Sequence, residues 1–235
     1  RPGTKLLVAN FPHNPTGFLP APDEWAEVVR ICDERGIYLF SDEMYRHLES
    51  SHRAPLPSAA ECYSRGVSLS GLSKAYGLPG LRVGWLASPD RDVINRCYEL
   101  KDYTTICSSS PSECLALIAL RNREALWKRC TGIIARNIQL MDEFVMQNGR
   151  ERIIEWRAPM AGPVALPRLL AGGAAQHCAS ALRDEGVMLI PDREFGTVAD
   201  RASGTWADDR LRIGLGRKGF DTMLQAWGRA LDRCS

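Results

Sequence analysis

Short apolar runs alternate along the chain with amphipathic stretches, the pattern of an α/β protein. "KLLVANF" has the unbroken apolar character of a buried strand, and in "APDEWAEVVRICDERG" Trp25, Val28, Val29 and Cys32 recur at helical spacing. A proline and two acids open that helix and Gly36 closes it, and "IYLFSDEMY" is the next strand. Strand, helix and strand make one βαβ unit, which the handedness rule turns into a right-handed crossover between parallel strands. "GVSLS" and "LRVGWLAS" continue the strands, and the spacing then predicts helices over about Arg91–Tyr103, Pro111–Arg121 and Glu124–Asn148, the last stopped by Gly149. Beyond it the texture changes. "RIIEW", "GPVALP", "VMLIP" and "LRIGL" are short strands interleaved with helices near Ala174–Glu185 and Phe220–Leu231, so residues 1–135 and 136–235 are expected to form two α/β domains, the second the smaller.

Composition narrows the classes of function. The 235 residues are 45% hydrophobic and 25% charged, with a net charge of +2 and the basic residues dispersed, which marks no surface for nucleic acid or another polyanion. Eight cysteines are scattered without a CxxC pair or a Cys/His cluster at ligand spacing, so no metal is expected and the thiols are those of a reduced cytoplasmic protein. No run approaches a membrane span, and "RPGTKLLVANF" has neither the apolar core nor the cleavage pattern of a signal peptide. The chain begins at Arg1, almost directly in a strand, as the C-terminal portion of something longer would.

Candidate chemistry gathers where strands end. Ligands of open parallel sheets bind at the carboxyl ends of strands. "HNPTG" (His13–Gly17) follows the first strand, "SDEMY" (Ser41–Tyr45) ends the second, "SGLSK" (Ser70–Lys74) follows the third, and Arg82 opens the fourth. Singly, each has an ordinary explanation: a turn, a helix cap, a core aromatic, a surface charge. Jointly they are what a pyridine aldehyde bearing a phosphate requires. A lysine amine forms a Schiff base, an acid keeps the ring nitrogen protonated, Asn and Tyr donors hold the phenolic oxygen, and hydroxyls with an arginine neutralise the phosphate. A further match, "GLGRKG" (Gly214–Gly219), fits the dinucleotide-binding pattern, but the chain ends before the acid-bearing strand that pattern needs, and it is rejected.

"NFPHNPTG", "LFSDEMYR", "SGLSKAYGLPGLRVGW" and "LRIGLGR", in this order and across essentially the whole chain, resemble the fold-type I pyridoxal-phosphate enzymes, specifically the class I/II aminotransferases. The resemblance implies a mostly parallel sheet, part of a large cofactor-binding domain over 1–135, with a small C-terminal domain over 136–235. It implies pyridoxal 5'-phosphate as cofactor, with Lys74 the Schiff-base lysine and proton shuttle and Asp42 the partner of the ring nitrogen. Asn14 and Tyr45 would serve the phenolic oxygen, and Ser70, Ser73 and Arg82 the phosphate. Arg212 would grip the substrate's α-carboxylate, with Asn14 also in the substrate site. Burial and neighbouring cations would equip Lys74 to act as a base. Two departures stand out: Gly71 occupies a position where the family carries a hydroxyl, and the family's N-terminal part has no counterpart here, so the chain as given is an incomplete site.

The implied activity is transfer of an amino group between an L-amino acid and a 2-oxo acid, in a cytoplasmic homodimer of amino-acid metabolism and biosynthesis. The same parts serve β-lyases and the cyclases or oxidases that modify arginine, and an aminotransferase-like sensor domain of a transcription regulator would carry them too. The hydroxyl-rich "KDYTTICSSSPSE" (Lys101–Glu113) is either a substrate-facing segment or a loop with a serine cap for the next helix.

Overall fold

The computed structural model describes residues 3–50, 52–147, 150–196 and 207–233, the side chain of Arg152 apart. Asn148 and Gly149, where a helix stop is expected, lie outside the described residues. The chain divides into two compact units, one of Arg1–Asn14, Phe18–Thr131 and Met160–Gly162, the other of Pro15–Gly17, Gly132–Pro159 and Pro163–Ser235.

The first unit is built on four strands, β1 (Leu6–Asn10), β2 (Tyr38–Asp42), β3 (Gly66–Gly71) and β4 (Gly84–Ala87), in the order β1-β2-β3-β4. The first three are parallel, as the βαβ pattern predicts for β1 and β2, and β4 is antiparallel to β3, which makes a mixed, mostly parallel sheet of the kind the resemblance implies. Helix α1 (Pro22–Glu34) crosses from β1 to β2. It starts where the sequence places it because Pro22 needs no N–H partner there and Glu24 accepts the Ala21 N–H at 2.7 Å. Gly36, at φ +61°, lets the chain reverse after it. Trp25 and Cys32 face inward and pack with Ala9, Leu39, Ala59 and Tyr63, while the Trp25 indole donates to the Pro57 carbonyl at 3.0 Å.

The short helix α2 (Ala59–Cys62) is absent from the sequence expectation, since four residues carry no periodicity to read. It is pressed against β3: a Cβ on Gly66 would sit 2.0 Å from the Ala59 carbonyl oxygen. Gly66→Ala is therefore expected to cost about 3 kcal/mol or more and to lower Tm by roughly 10 °C, measured by calorimetry. Helices α3 (Arg91–Asp102), α4 (Ser110–Arg121) and α5 (Arg123–Met146) follow the predicted positions closely. Asp90 caps α3 by accepting from the Asp92 and Val93 N–H groups, whereas Ser109 precedes α4 without a side-chain cap bond.

In the second unit β5 (Ile154–Glu155) pairs with β7 (Arg168–Leu169), and β6 (Val164–Ala165), β9 (Leu211–Gly214) and β8 (Ile190–Pro191) form a sheet in the order β6-β9-β8. The ladders are shorter than the apolar runs suggest, because each pairing extends over only two residues. Helices α6 (Ala174–Glu185) and α7 (Phe220–Asp232) pack on each other around the fully buried Trp227, whose indole donates to His177 Nε2 at 2.8 Å.

Candidate active site

Parallel register brings the ends of β1 and β2 side by side, with Asn10 opposite Asp42 and Asp42 opposite Leu69 on β3. One carboxamide ties the first two ends together. Asn10 Nδ2 donates to the Asp42 carbonyl at 3.3 Å, and its Oδ1 accepts the Asn14 backbone N–H at 2.9 Å. The turn bearing Asn14 is thereby held to the strand bearing Asp42. The half-buried Asp42 carboxylate accepts the Met44 N–H at Oδ1, at 3.1 Å, and among the described residues Oδ2 takes no hydrogen bond.

Beyond Asp42 the chain is braced from below. Glu43 is buried, and its Oε1 accepts from Ser68 Oγ at 2.7 Å and from the Ala59 N–H at 2.9 Å. Ser68 in turn accepts from the Ala60 N–H and meets Ser58 Oγ at 2.7 Å; with its own proton given to Glu43, Ser58 is the donor in that bond. Tyr45 is 6% exposed, and its ring lies against Gly162, where a Cβ would come within 3.0 Å of it. Gly162, at φ +86°, provides that room, and its N–H ties this segment to the Leu48 carbonyl at 2.8 Å.

Lys74 stands on a loop whose shape is set by what it buries. Leu72, Ala75 and Tyr76 are buried, and the Leu72 N–H and carbonyl bond to Val83 and Leu78 at 3.0 and 2.9 Å. Ser73 is left half-buried and Lys74 exposed, so the burial expected for the lysine is not supplied by the described residues. Ser70 is half-buried in β3 opposite Trp85. Arg82 does not open β4 directly: it caps the 3₁₀ turn Pro79–Leu81 in a left-handed conformation, exposed, donating to the Pro79 carbonyl at 2.9 Å. Because β4 runs antiparallel, this start of β4 lies beside the carboxyl end of β3.

Gly71 has a packing reason. It faces Gly84 across the β3–β4 ladder, and a Cβ at 71 would lie 3.0 Å from both the Gly84 Cα and the Val83 carbonyl oxygen. A hydroxyl residue there has no room without parting the strands. Arg212 belongs to the second unit, on β9 opposite Ile190, with its guanidinium over the Phe195 ring at 5.0 Å. The other seven candidates, Asn14, Asp42, Tyr45, Ser70, Ser73, Lys74 and Arg82, all lie in the first unit on segments leaving one end of its sheet.

Burial also controls the histidines. His47, beside the Tyr45 turn, is pushed down to about 4 by desolvation, with Arg46 and Arg123 adding to the effect, and burial lowers His13 and His177 as well. A histidine depressed in the fold takes up its proton more readily when unfolded, so stability is whole above pH 6.5 and is lost as the pH falls towards 4. For His47 the loss is about 2 kcal/mol after allowance for solvent near the ring. Glu49, raised by its own burial, works the other way near the bottom of that window. Urea denaturation from pH 7 to 4.5 is expected to show the decline, and His47→Gln to flatten it.

The donor set fits pyridoxal phosphate: an exposed primary amine, a carboxylate with one oxygen unengaged, and amide, phenol and hydroxyl groups on adjoining strand ends. Among the described residues no cluster of His, Cys, Asp and Glu is arranged to hold a metal. The family model for class I and II aminotransferases matches residues 1–219, and the chain belongs to that family. It is 32% identical over 223 residues to capreomycidine synthase of Streptomyces vinaceus, covering 90% of this chain and 51% of that protein. A PLP-dependent aminotransferase from Streptococcus suis superposes with a TM-score of 0.83 at 28% identity, over 99% of this chain and 57% of that one. The PLP-dependent cyclase OrfR does so with a TM-score of 0.85 at 27% identity, over 100% of this chain and 59% of its own. The chain thus spans a little over half the length of the relatives it matches.

Proposed function

We propose that the whole protein is a pyridoxal-phosphate-dependent aminotransferase that moves an amino group between an L-amino acid and a 2-oxo acid. The observation that carries this is the placing, on adjoining ends of one sheet, of the exposed Lys74 amine and an Asp42 carboxylate whose Oδ2 is unengaged among the described residues, in a chain of this family. When bound, the cofactor supplies an electron-withdrawing ring that acidifies the substrate's Cα–H. Lys74 Nζ would be the amine that holds the cofactor's aldehyde and, once free, the base that takes and returns the proton at the substrate's Cα. Asp42 Oδ2 would accept the ring N–H, and its negative charge would keep that proton in place. Asn14 and Tyr45 donate to the phenolic oxygen, Ser70, Ser73 and Arg82 hold the phosphate, and Arg212 grips the substrate carboxylate as a two-pronged fork.

In this reading residues 1–135 are part of the large cofactor-binding domain and 136–235 form the small one. The whole protein works as a homodimer in the cytoplasm, in amino-acid metabolism and biosynthesis. Seven cysteines among the described residues are free, as reduced thiols of that compartment would be. Sedimentation at micromolar concentration tests the dimer, and a monomer would count against it.

The likeness to capreomycidine synthase and to the cyclase OrfR favours a second reading, in which the same cofactor chemistry ends in ring closure. One experiment separates the two: the full-length protein with pyridoxal phosphate, single L-amino acids and a 2-oxo acid, with products resolved by mass spectrometry. Nitrogen appearing in the oxo acid supports transfer. A cyclised product that keeps its nitrogen supports the second reading, and the absence of any cofactor absorbance overturns both.

A further inference from the structure

Two residues beyond Tyr45 and two beyond Lys74 stand the aromatic side chains of His47 and Tyr76, and a third ring joins them. Trp127, near the start of α5, stacks on the His47 imidazole with centroids 3.8 Å apart and planes 16° from parallel. The Tyr76 ring lies 5.7 Å from that of Trp127, tilted by 57°, and Tyr76 in turn meets Trp85 of β4 edge-on at 6.2 Å. All of these rings belong to the first unit.

Two costly features meet in this column. His47 is held at φ +74°, a left-handed conformation that a residue with a Cβ adopts at an energetic cost. Among the described residues the buried Trp127 indole N–H has no hydrogen-bond partner; burial pushes the neighbouring Tyr76 phenol up, with the Arg123 charge and the Trp127 N–H offsetting part of that rise. The His47 ring is itself oriented: its Nε2 lies 3.3 Å from Arg46 Nη1, which can only donate, so Nε2 accepts and Nδ1 carries the proton. Strain that persists beside a candidate site calls for an account of what maintains it. The backbone there is held by the His47 N–H bond to Glu49 Oε1 at 3.2 Å and the Leu48 N–H bond to the Tyr45 carbonyl at 3.1 Å, and the ring stack adds to them, joining two segments that have no hydrogen-bonded strand pairing with each other: the turn 42–48 and the loop 72–78.

We propose that Trp127 is a positioning residue, a splint packed against both His47 and Tyr76 that holds the turn carrying Tyr45 in register with the loop carrying Lys74. The inference rests on the cofactor reading for its consequence, since Tyr45 and Lys74 are then the groups that must address neighbouring atoms of one small ring. Small misplacements of such groups are expensive in function.

The test uses the full-length protein with pyridoxal phosphate. Trp127→Leu should weaken cofactor affinity about tenfold and move the pH midpoint of the bound cofactor's visible absorbance by about one unit. Trp127→Phe, which keeps a ring in place, should restore both. His47→Gly relieves the backbone but abolishes the stack, and should reproduce the effect of Trp127→Leu; it serves as the test if the latter does not fold. In the cofactor-free protein, Trp127→Leu should speed amide exchange together at Leu48 and Gly77, whose N–H groups bond the Tyr45 and Lys74 carbonyls. Affinity and midpoint unchanged in Trp127→Leu, with only Tm lowered, would reduce the column to packing and overturn the proposal. A wild-type protein that shows no cofactor absorbance would remove the cofactor reading and the proposal with it, whereas a normal wild type with unaltered variants would sink the splint alone.

Discussion

Lys74→Ala is expected to lower kcat/KM of the full-length protein by on the order of 10⁴-fold, the upper range for a positioned group that transfers a proton. It should do so without touching the fold. The side chain is exposed, and the loop is held by Leu72, Ala75 and Tyr76 and by backbone bonds in which the lysine side chain has no part. A surface substitution of this kind stays within about 0.5 kcal/mol in stability. Borohydride reduction followed by mass spectrometry reads the outcome directly. The wild type should retain the cofactor covalently at Lys74 and the variant should retain none; covalent retention by Lys74→Ala would remove that residue from the role assigned to it.

Asp42→Asn should slow turnover by up to about 10²-fold, because a hydrogen bond to a charged group is worth up to about 3 kcal/mol and each 1.4 kcal/mol is a factor of ten. The isosteric amide keeps an oxygen for the Met44 N–H, so the turn survives. What it loses is the negative oxygen at Oδ2, replaced by a donor that cannot face another N–H. Asp42→Ala, which removes the turn bond as well, should lose cofactor affinity in addition to rate. Equal rates for wild type and Asp42→Asn in a steady-state assay would sink the electrostatic role.

Much of this was legible before any coordinates. The strands ending in Asn10 and Asp42 announce themselves by apolar runs, and α1, α3, α4 and α5 by periodicity and stop residues, because these signals are local. The chemistry-bearing positions stood out because lysine, acid, amide and phenol recur at strand ends.

What stayed hidden depends on partners distant in the chain. Asn10 is one residue of a strand until it reaches across 32 positions to the Asp42 carbonyl, and nothing in "VANF" announces that bond. The Glu43, Ser68 and Ser58 network is invisible for the same reason, although a glutamate directly after a strand-ending aspartate is a hint that one of the two faces inward. Gly71 looked like a missing hydroxyl because the close approach of Gly84 is a property of the ladder and not of either segment. The exposure of Lys74 could not be anticipated from its setting, which is that of a loop with buried neighbours on both sides.

Under the proposed function, the anchoring of that loop also bears on how quickly the protein would be charged with its cofactor. The hydrogen bonds that shape residues 72–78 run among Leu72, Lys74, Gly77, Leu78 and Val83, so the loop carries its own restraints and needs no bound molecule to define it. The entropy of ordering the backbone around the reactive amine is thus lost during folding, ahead of the encounter. If Lys74 has the proposed role, an incoming aldehyde would meet an amine on a preshaped ledge, and the pace of loading would fall to desolvation and bond making rather than to a search by the chain.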